Sequence, residues 1–211
     1  MSVVECHGSD AYDSLGPGEQ GEVVSSFVRP FLPWIGYAVV ASVADWRWGA
    51  LAGLVLTAWG LVTARRAGRG WDALLIETCS AGYFAVVLAI ALADPHSVLR
   101  PWTQSASSGW LALIAWGSLA VRRPFTLGIA RASVPAALWD NPLFRRVNVV
   151  ISAVWAVAFT CSALALAALQ LSGAPGIAPT LVTIAAFVLP AVFTVRYPDA
   201  VRARATRQPA V

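Results

Sequence analysis

The stretch VNVVISAVWAVAFTCSALALAALQL, residues 147–171, runs for 25 residues without a charged side chain. A helix needs about 20 apolar residues to cross the hydrocarbon core of a bilayer, so this stretch predicts a transmembrane helix. Five more apolar runs occupy residues 31–44, 48–64, 73–93, 110–121 and 177–195. We therefore predict an all-α polytopic bundle of about six transmembrane helices.

The composition supports a membrane protein. Hydrophobic residues make up 58% of the chain, charged residues make up 12%, and the mean hydropathy is +0.66. Soluble domains carry roughly 25% charged residues. The first and fourth apolar runs are short for a span, and we expect each to borrow flanking residues, 27–30 and 105–109 respectively.

The basic residues predict the orientation. All fifteen are arginines, and in the six-span interpretation thirteen lie on one side of the membrane. Only Arg47 and Arg100 lie on the other side. By the positive-inside rule both termini are cytoplasmic, which predicts a multi-pass protein of the cytoplasmic (inner) membrane. The basic rim suits anionic membrane lipids, and no motif for binding nucleic acid accompanies it.

Residues 1–26 contain five acids and no apolar stretch, which predicts a disordered acidic cytoplasmic tail. Residues 27–196 form the predicted transmembrane helical domain, and residues 197–211 form a basic cytoplasmic tail. The three cysteines have no C-x-x-C spacing, and the two histidines are predicted on opposite sides of the membrane. We therefore expect no metal site and no cofactor. The pattern leaves the oligomeric state open.

The segment RRPFTLGIARASVPAALWDNPLFRR, residues 122–146, mixes apolar side chains with arginines and three prolines. Such a segment should lie in the membrane interface or dip into the bundle, with residues 125–139 as a broken helix between the fourth and fifth spans. We expect it to close a pocket between the third and fifth spans. Asn141 followed by Pro142 has the form of an N-cap with proline at the first helical position, so the fifth helix should begin there.

This segment and three motifs, FLPWI at 31–35, IETCSAGYF at 76–84 and RVNVVISAVW at 146–155, resemble a group of small actinobacterial membrane proteins. That group is likened to intracellular septation protein A, and the resemblance covers most of residues 27–155. The size and look of the chain also resemble the membrane terpene cyclases of bacterial terpenoid-alkaloid pathways, of the kind that make drimentines. The second resemblance implies terpenoid biosynthesis in secondary metabolism.

Ionisable residues held inside a membrane are costly and are therefore functional candidates. Glu77 lies about 8 Å from the cytoplasmic end of the third span, at 1.5 Å of rise per residue. One interpretation is a structural salt bridge to Arg123 or Arg131. The alternative is a proton donor, because an apolar pocket favours the protonated carboxyl. Asp140 either caps the fifth helix or holds or tunes the proton on Glu77.

Ten tryptophans are unusually many for 211 residues. Six lie at span ends and fit an aromatic belt. The rest lie within the apolar runs beside other aromatic residues, and this set comprises Trp34, Tyr37, Trp59, Tyr83, Phe84, Trp116, Trp155 and Phe159. They either pack singly or together line a substrate cavity, where aromatic faces stabilise a cation by up to ~2 kcal/mol. Asn148 either bonds a neighbouring helix or contacts substrate. Gly49 and Gly53 predict close helix packing.

Several enzyme classes are disfavoured because their motifs are missing from the sequence. No paired acidic motif within the spans would hold magnesium and diphosphate, and G-x-S-x-G, P-loop and H-E-x-x-H motifs are absent. What remains is acid chemistry without a metal on a lipophilic small-molecule substrate. The resemblance to the drimentine-type enzymes then implies the leading hypothesis, a membrane terpene cyclase that acts by protonation. Its reaction would be metal-independent cyclisation of a farnesyl-type chain on an aromatic or cyclodipeptide acceptor. The competing hypothesis is a non-enzymatic septation-type envelope scaffold or transport accessory protein.

Overall fold

The computed structural model describes residues 29–68, 70, 74–131, 139, 141–173 and 177–207, without the side chains of 199, 200 and 202–207. Within these ranges the regular structure is entirely helical. Seven α-helices are described: α1 (Leu32–Val43), α2 (Trp46–Arg66), α3 (Leu75–Ala93), α4 (Thr103–Ala120), α5 (Phe125–Arg131), α6 (Pro142–Leu171) and α7 (Ala178–Arg207). Short 3₁₀ turns, Arg29–Phe31 and Arg100–Trp102, precede α1 and α4. The predicted tail at 1–26 lies outside the described residues.

Four helices are long and apolar enough to cross a membrane: α2, α3, α6 and the Ala178–Pro198 part of α7. This finding indicates a membrane protein and confirms the all-helical fold. The helix α1 has 12 residues, too few to cross alone. The helix α4 has 18 residues but begins with the polar sequence TQSASS. The predicted count of six spans therefore remains a prediction.

One end of the bundle is organised around Asp45. Its side chain accepts a hydrogen bond of 3.0 Å from the backbone N–H of Arg47 and caps α2. The same carboxylate forms ion pairs with the Arg47 guanidinium at 2.9 Å and with Arg100 at 3.6 Å. The hydrogen bond from the Arg47 backbone is the main cause that lowers the pKa of Asp45 below its usual value, and the Arg47 side chain adds to it. The two arginines predicted to lie apart from the others thus share one carboxylate.

The opposite end of the bundle carries the other described arginines. Arg29 donates a 2.6 Å hydrogen bond to Thr63 near the end of α2, and Arg145 donates one to the backbone oxygen of Arg122. We call this the arginine-rich end, and its members are Arg29, Arg65, Arg66, Arg122, Arg123, Arg131, Arg145, Arg146 and Arg196. These arginines share one end because consecutive long helices run in opposite directions, so that one helix ends beside the start of another.

The start of α6 matches the sequence pattern. Asn141 has an extended backbone, and its side chain accepts a 2.8 Å hydrogen bond from the backbone N–H of Leu143. Pro142 occupies the first helical position, where its missing N–H costs nothing. The prediction that the fifth long helix begins at this asparagine is confirmed.

Close packing of the helices depends on small residues. A Cβ built on Gly49 would lie 2.7 Å from the Cβ of Ala41 in α1, and one built on Gly53 would lie 2.7 Å from the ring of Phe84 in α3. These two glycines let α2 approach both neighbours, as the sequence predicts. Between α4 and α6 the close contact is polar, because Ser108 and Ser162 share a 3.2 Å hydrogen bond.

The short helix α5 covers part of the predicted interfacial segment. Phe125 and Thr126 are buried. The Thr126 hydroxyl lies 3.0 Å from the backbone oxygen of Asn148 and 2.8 Å from the Ser152 hydroxyl, which attaches α5 to α6. Residues 132–138 and Asp140 lie outside the described part of the chain. The predicted break in this helix and the predicted role of Asp140 therefore remain predictions.

Candidate functional site

The segment at residues 29–34, which we call the entrance segment, connects three parts of the molecule. Its Phe31 ring stacks on Trp155 of α6, with centroids 4.7 Å apart and planes 8° apart. Its Trp34 donates a 3.0 Å hydrogen bond from Nε1 to the Ser80 hydroxyl of α3. Between them, Leu32 and Pro33 line a cleft that also reaches Glu77. The segment thus brings two aromatic clusters and the candidate acid together.

The cleft lies between α1, α2 and the start of α3. Its lining consists of Arg29, Leu32, Pro33, Leu56, Thr57, Trp59, Gly60 and Glu77. Its volume is about 20 Å³. A space of this size holds about one water molecule. The candidate acid therefore faces a small cleft with mostly apolar walls, and any larger ligand must move side chains to enter.

Glu77 lies in the first turn of α3 and is 6% exposed. Ser80 and Phe84, on the same helical face, are fully buried. A carboxyl at this position is able to give or take a proton within reach of the cleft. The alternative pairing of Glu77 with Arg123 or Arg131 stays a prediction.

Arg29 supplies a positive charge at the cleft. Its Nη2 donates to the Thr63 hydroxyl at 2.6 Å, and its Cζ lies 5.7 Å from the ring centroid of Trp59. Trp59 is 57% exposed on the outer surface of α2. A guanidinium over an indole face is a cation–π contact. The arginine is therefore held at the mouth of the cleft by a hydroxyl and an aromatic ring.

The first aromatic cluster joins α1 to α3 and contains four of the predicted substrate-contacting residues. Phe84 lies at its centre, with its ring centroid 4.7 Å from that of Trp34, 5.6 Å from Tyr37 and 5.5 Å from Tyr83. The Tyr83 hydroxyl lies 2.8 Å from that of Ser107 in α4. All four rings are buried. They pack against each other directly above Glu77 along α3.

The second aromatic cluster joins the entrance segment to α6 and α7. It contains the predicted residues Trp155 and Phe159, together with Phe31 and Phe187. The Trp155 Nε1 donates a 3.0 Å hydrogen bond to the Thr194 hydroxyl, which in turn donates to the backbone oxygen of Pro190. This second bond is the i−4 back-bonding of a threonine hydroxyl within its own helix.

Two of the described site residues lie apart from these clusters. Trp116 is 47% exposed and donates from Nε1 to the Thr160 hydroxyl at 3.1 Å on the outside of α4 and α6. Asn148 is buried, but its side-chain amide donates to the Phe144 oxygen of its own helix at 2.9 Å. Its bond to another helix uses its backbone oxygen. Asp140 lies outside the described residues.

Sequence reasoning missed the residues that connect the site. The sequence places Arg29 in the basic rim and Phe31 and Phe187 within apolar runs, and it gives no sign of their contacts. The FLPW motif was a signal, because a proline beside two large aromatics indicates a fixed local geometry. The sequence does not indicate that Gly60 lines the cleft, since this depends on what surrounds the glycine in the fold.

Within the described ranges no three His, Cys, Asp or Glu side chains lie close enough to hold a metal ion together. The chain matches no protein-family model, no curated protein and no solved structure.

Proposed function

We propose that the protein is an integral membrane terpene cyclase that starts the reaction by protonation and uses no metal. The observation that carries the proposal is the burial of Glu77 in a cleft with mostly apolar walls, beside two aromatic clusters. The proposed enzyme crosses the cytoplasmic membrane six times, with both termini cytoplasmic. Its substrate is a farnesyl-type chain attached to an aromatic or cyclodipeptide group.

In the proposed reaction the neutral Glu77 carboxyl acts as a general acid. The proton moves to the terminal alkene of the chain, so that a C–H bond forms and the O–H bond breaks. The electron pair of the next alkene attacks the resulting carbocation and closes a ring. A proton then moves from the carbon beside the final cation to the Glu77 carboxylate, which forms the last alkene, restores the acid and completes an isomerisation with no net change in atoms.

The aromatic clusters would protect the cation. Their rings attract positive charge, and their dense packing excludes the water that would quench it. Trp34 donates to Ser80, which lies one turn along α3 from Glu77, and packs against Phe84, while Phe31 of the same entrance segment stacks on Trp155. The entrance segment thus carries one ring of each cluster, which supports a path for a cation that moves along a folded chain.

Substrate binding requires the cleft to widen. Pockets for small molecules usually measure about 300–1,000 Å³, well above the present 20 Å³. Leu32 is 41% exposed and Trp59 is 57% exposed, so both lie on the outer side of the cleft. We expect these two side chains to rotate toward the lipid when a chain enters.

Replacing Glu77 by glutamine tests the proposal. The change Glu77→Gln preserves shape and hydrogen bonding but removes the proton, so cyclisation in isolated membranes should fall by at least ~10²-fold. Protein level should stay constant. Conversion of farnesylated aromatic and cyclodipeptide substrates is followed by mass spectrometry of the products. Full activity of Glu77→Gln would contradict the assigned acid, and inactive wild-type membranes on every substrate would contradict the cyclase.

One observation favours a second candidate, a septation-type envelope scaffold or transport accessory protein. Both aromatic clusters pack ring against ring, with centroid distances from 4.7 to 6.3 Å, as a structural core does. A gene deletion that alters cell division or envelope integrity, without loss of any terpenoid product, would favour this candidate over the cyclase.

A further inference from the structure

We infer that the cleft beside Glu77 is a lateral portal for an amphiphile that arrives through the bilayer. Its apolar chain would enter between α1 and α2, and its hydrogen-bond-accepting head group, a phosphate or an amide carbonyl, would bind Arg29. The inference rests on the proposed function in one respect, because it takes Glu77 as the group with which the bound chain reacts.

The outer side of the cleft opens at a glycine. A Cβ built on Gly60 meets no heavy atom within 4 Å, whereas a Cβ on Gly49 or Gly53 of the same helix would lie 2.7 Å from a neighbour. Gly60 lines the cleft, and the adjacent Trp59 faces outward. The two inner glycines thus allow helix contact, while Gly60 leaves a gap in the outer surface of α2.

Arg29 has the chemistry to hold a head group. Its guanidinium has five N–H groups, and among the described residues its hydrogen bond is the one to Thr63. The described ion pairs do not include it. Guanidinium groups recognise phosphate and carbonyl oxygens through paired N–H donors. The arginine-rich end is where lipid head groups would lie, and Arg29 is the arginine of this end that lines the cleft.

The short distance between the two polar groups restricts the chain. Arg29 and Glu77 line one small cleft. A chain with its head on Arg29 and its terminal alkene at Glu77 must therefore be bent back on itself. Ring closure requires this shape, since it brings distant alkenes of the chain into contact.

Photolabelling tests the portal without requiring turnover. The full chain is placed in phosphatidylcholine nanodiscs with a farnesyl phosphate that carries a diazirine near the end of its chain, and labelled peptides are mapped by mass spectrometry. Wild type should be labelled in α1 and α2. The variant Gly60→Leu places a side chain in the gap, where a Cβ meets no heavy atom within 4 Å, and labelling there should fall about tenfold or more.

The matched control for this substitution is Gly82→Leu. Gly82 lies in the middle of α3, also has nothing within 4 Å of a built Cβ, and does not line the cleft. Its labelling should equal that of wild type. Equal labelling of Gly60→Leu and Gly82→Leu would overturn the portal. Equally strong labelling of α1 and α2 by a diazirine phosphatidylglycerol would also overturn it, because the cleft would then accept bulk lipid.

Three farnesyl probes with different head groups test the role of Arg29. Arg29→Gln should reduce labelling by the farnesyl phosphate and by a matching farnesyl amide about tenfold, and should leave a matching farnesyl hydrocarbon unchanged. A larger loss for the phosphate identifies an anionic head, and equal losses identify a carbonyl. Unchanged labelling by both polar probes, or an equal loss with the hydrocarbon, would overturn the role of Arg29.

These measurements separate the portal from the enzyme. Glu77→Gln should keep the labelling of wild type while it loses cyclisation. Selective labelling at the cleft with no conversion of any prenylated substrate would reject the cyclase and keep the portal. Full cyclisation by Gly60→Leu with unchanged labelling would reject the portal and keep the cyclase.

Discussion

Gly53 of α2 faces the ring of Phe84 in α3 so closely that a Cβ on the glycine would lie 2.7 Å from two ring carbons. The ring is fully buried and is in contact with Trp34, Tyr37 and Tyr83, so it has no space into which to move. This contact fixes the separation of α2 and α3 beside the candidate acid.

The first prediction is that Gly53→Ala destabilises the protein. The added methyl group must push the Phe84 ring or separate the helices, and overpacking of this kind costs about 1–3 kcal/mol. Reversible unfolding in mixed detergent micelles measures the change. Gly60→Ala is the control, because its Cβ meets open space. An equal loss of stability in both variants would show that the ring contact is not the cause.

The second prediction concerns the effect of low pH on the ion pairs of Asp45 with Arg47 and Arg100. The folded pKa of Asp45 lies below its usual value, mainly because the Arg47 backbone N–H donates to the carboxylate. The charge therefore stabilises the fold at every pH above the unfolded pKa of about 3.9. This contribution is lost as the pH falls through the lower, folded pKa.

Asp45→Asn provides the comparison, since asparagine also caps helices but carries no charge. The melting temperature of wild type should exceed that of the variant by a constant amount above about pH 5. The difference should shrink below about pH 4. A difference that stays constant to pH 2.5 would show that the carboxylate charge does not stabilise the loop.

Much of the helical framework was predictable, because it depends on local rules. The uncharged run at 147–171 predicted most of α6, and the Asn141–Pro142 pair predicted its first turn, since capping depends on adjacent residues. The start of α4 at Thr103 lies two residues before the flanking residues 105–109 that the sequence adds to the fourth apolar run. The serines of this first part satisfy their hydroxyls, since Ser107 donates to the backbone oxygen of Thr103 and Ser108 shares a hydrogen bond with Ser162.

The site was less predictable, because it depends on contacts between distant residues. Ser80 and Phe84 share the face of Glu77 because residues three and seven positions apart align on a helix. Nothing in the sequence pairs Arg29 with Thr63 or Phe31 with Trp155. Hydrophobicity also does not distinguish a buried tryptophan from a lipid-facing one. Trp34 is buried and Trp59 is exposed although both lie within apolar runs.

The third prediction concerns topology. Six spans with cytoplasmic termini require residue 173, between α6 and α7, to lie in the periplasm. A reporter fused after Gly173 should give a periplasmic signal, and one fused after Val211 should give a cytoplasmic signal. The reverse pattern would reject the orientation derived from the arginines. Signals from one side only would reject α7 as a membrane-crossing helix.

The last prediction concerns Trp155, which stacks on Phe31 and donates to Thr194. If its ring stabilises a cation, Trp155→Ala should slow cyclisation and release products quenched early by water, because the aromatic face is lost. Trp155→Phe keeps an aromatic face and loses the hydrogen bond, so it should restore most of the fully cyclised product. Thr194→Val removes the same hydrogen bond while leaving the indole in place. Product ratios measured by mass spectrometry separate the two effects. A shift to quenched products in Trp155→Ala alone identifies the aromatic ring as the cause. The same shift in Thr194→Val identifies packing of α6 against α7 as the cause and leaves the indole no electrostatic role.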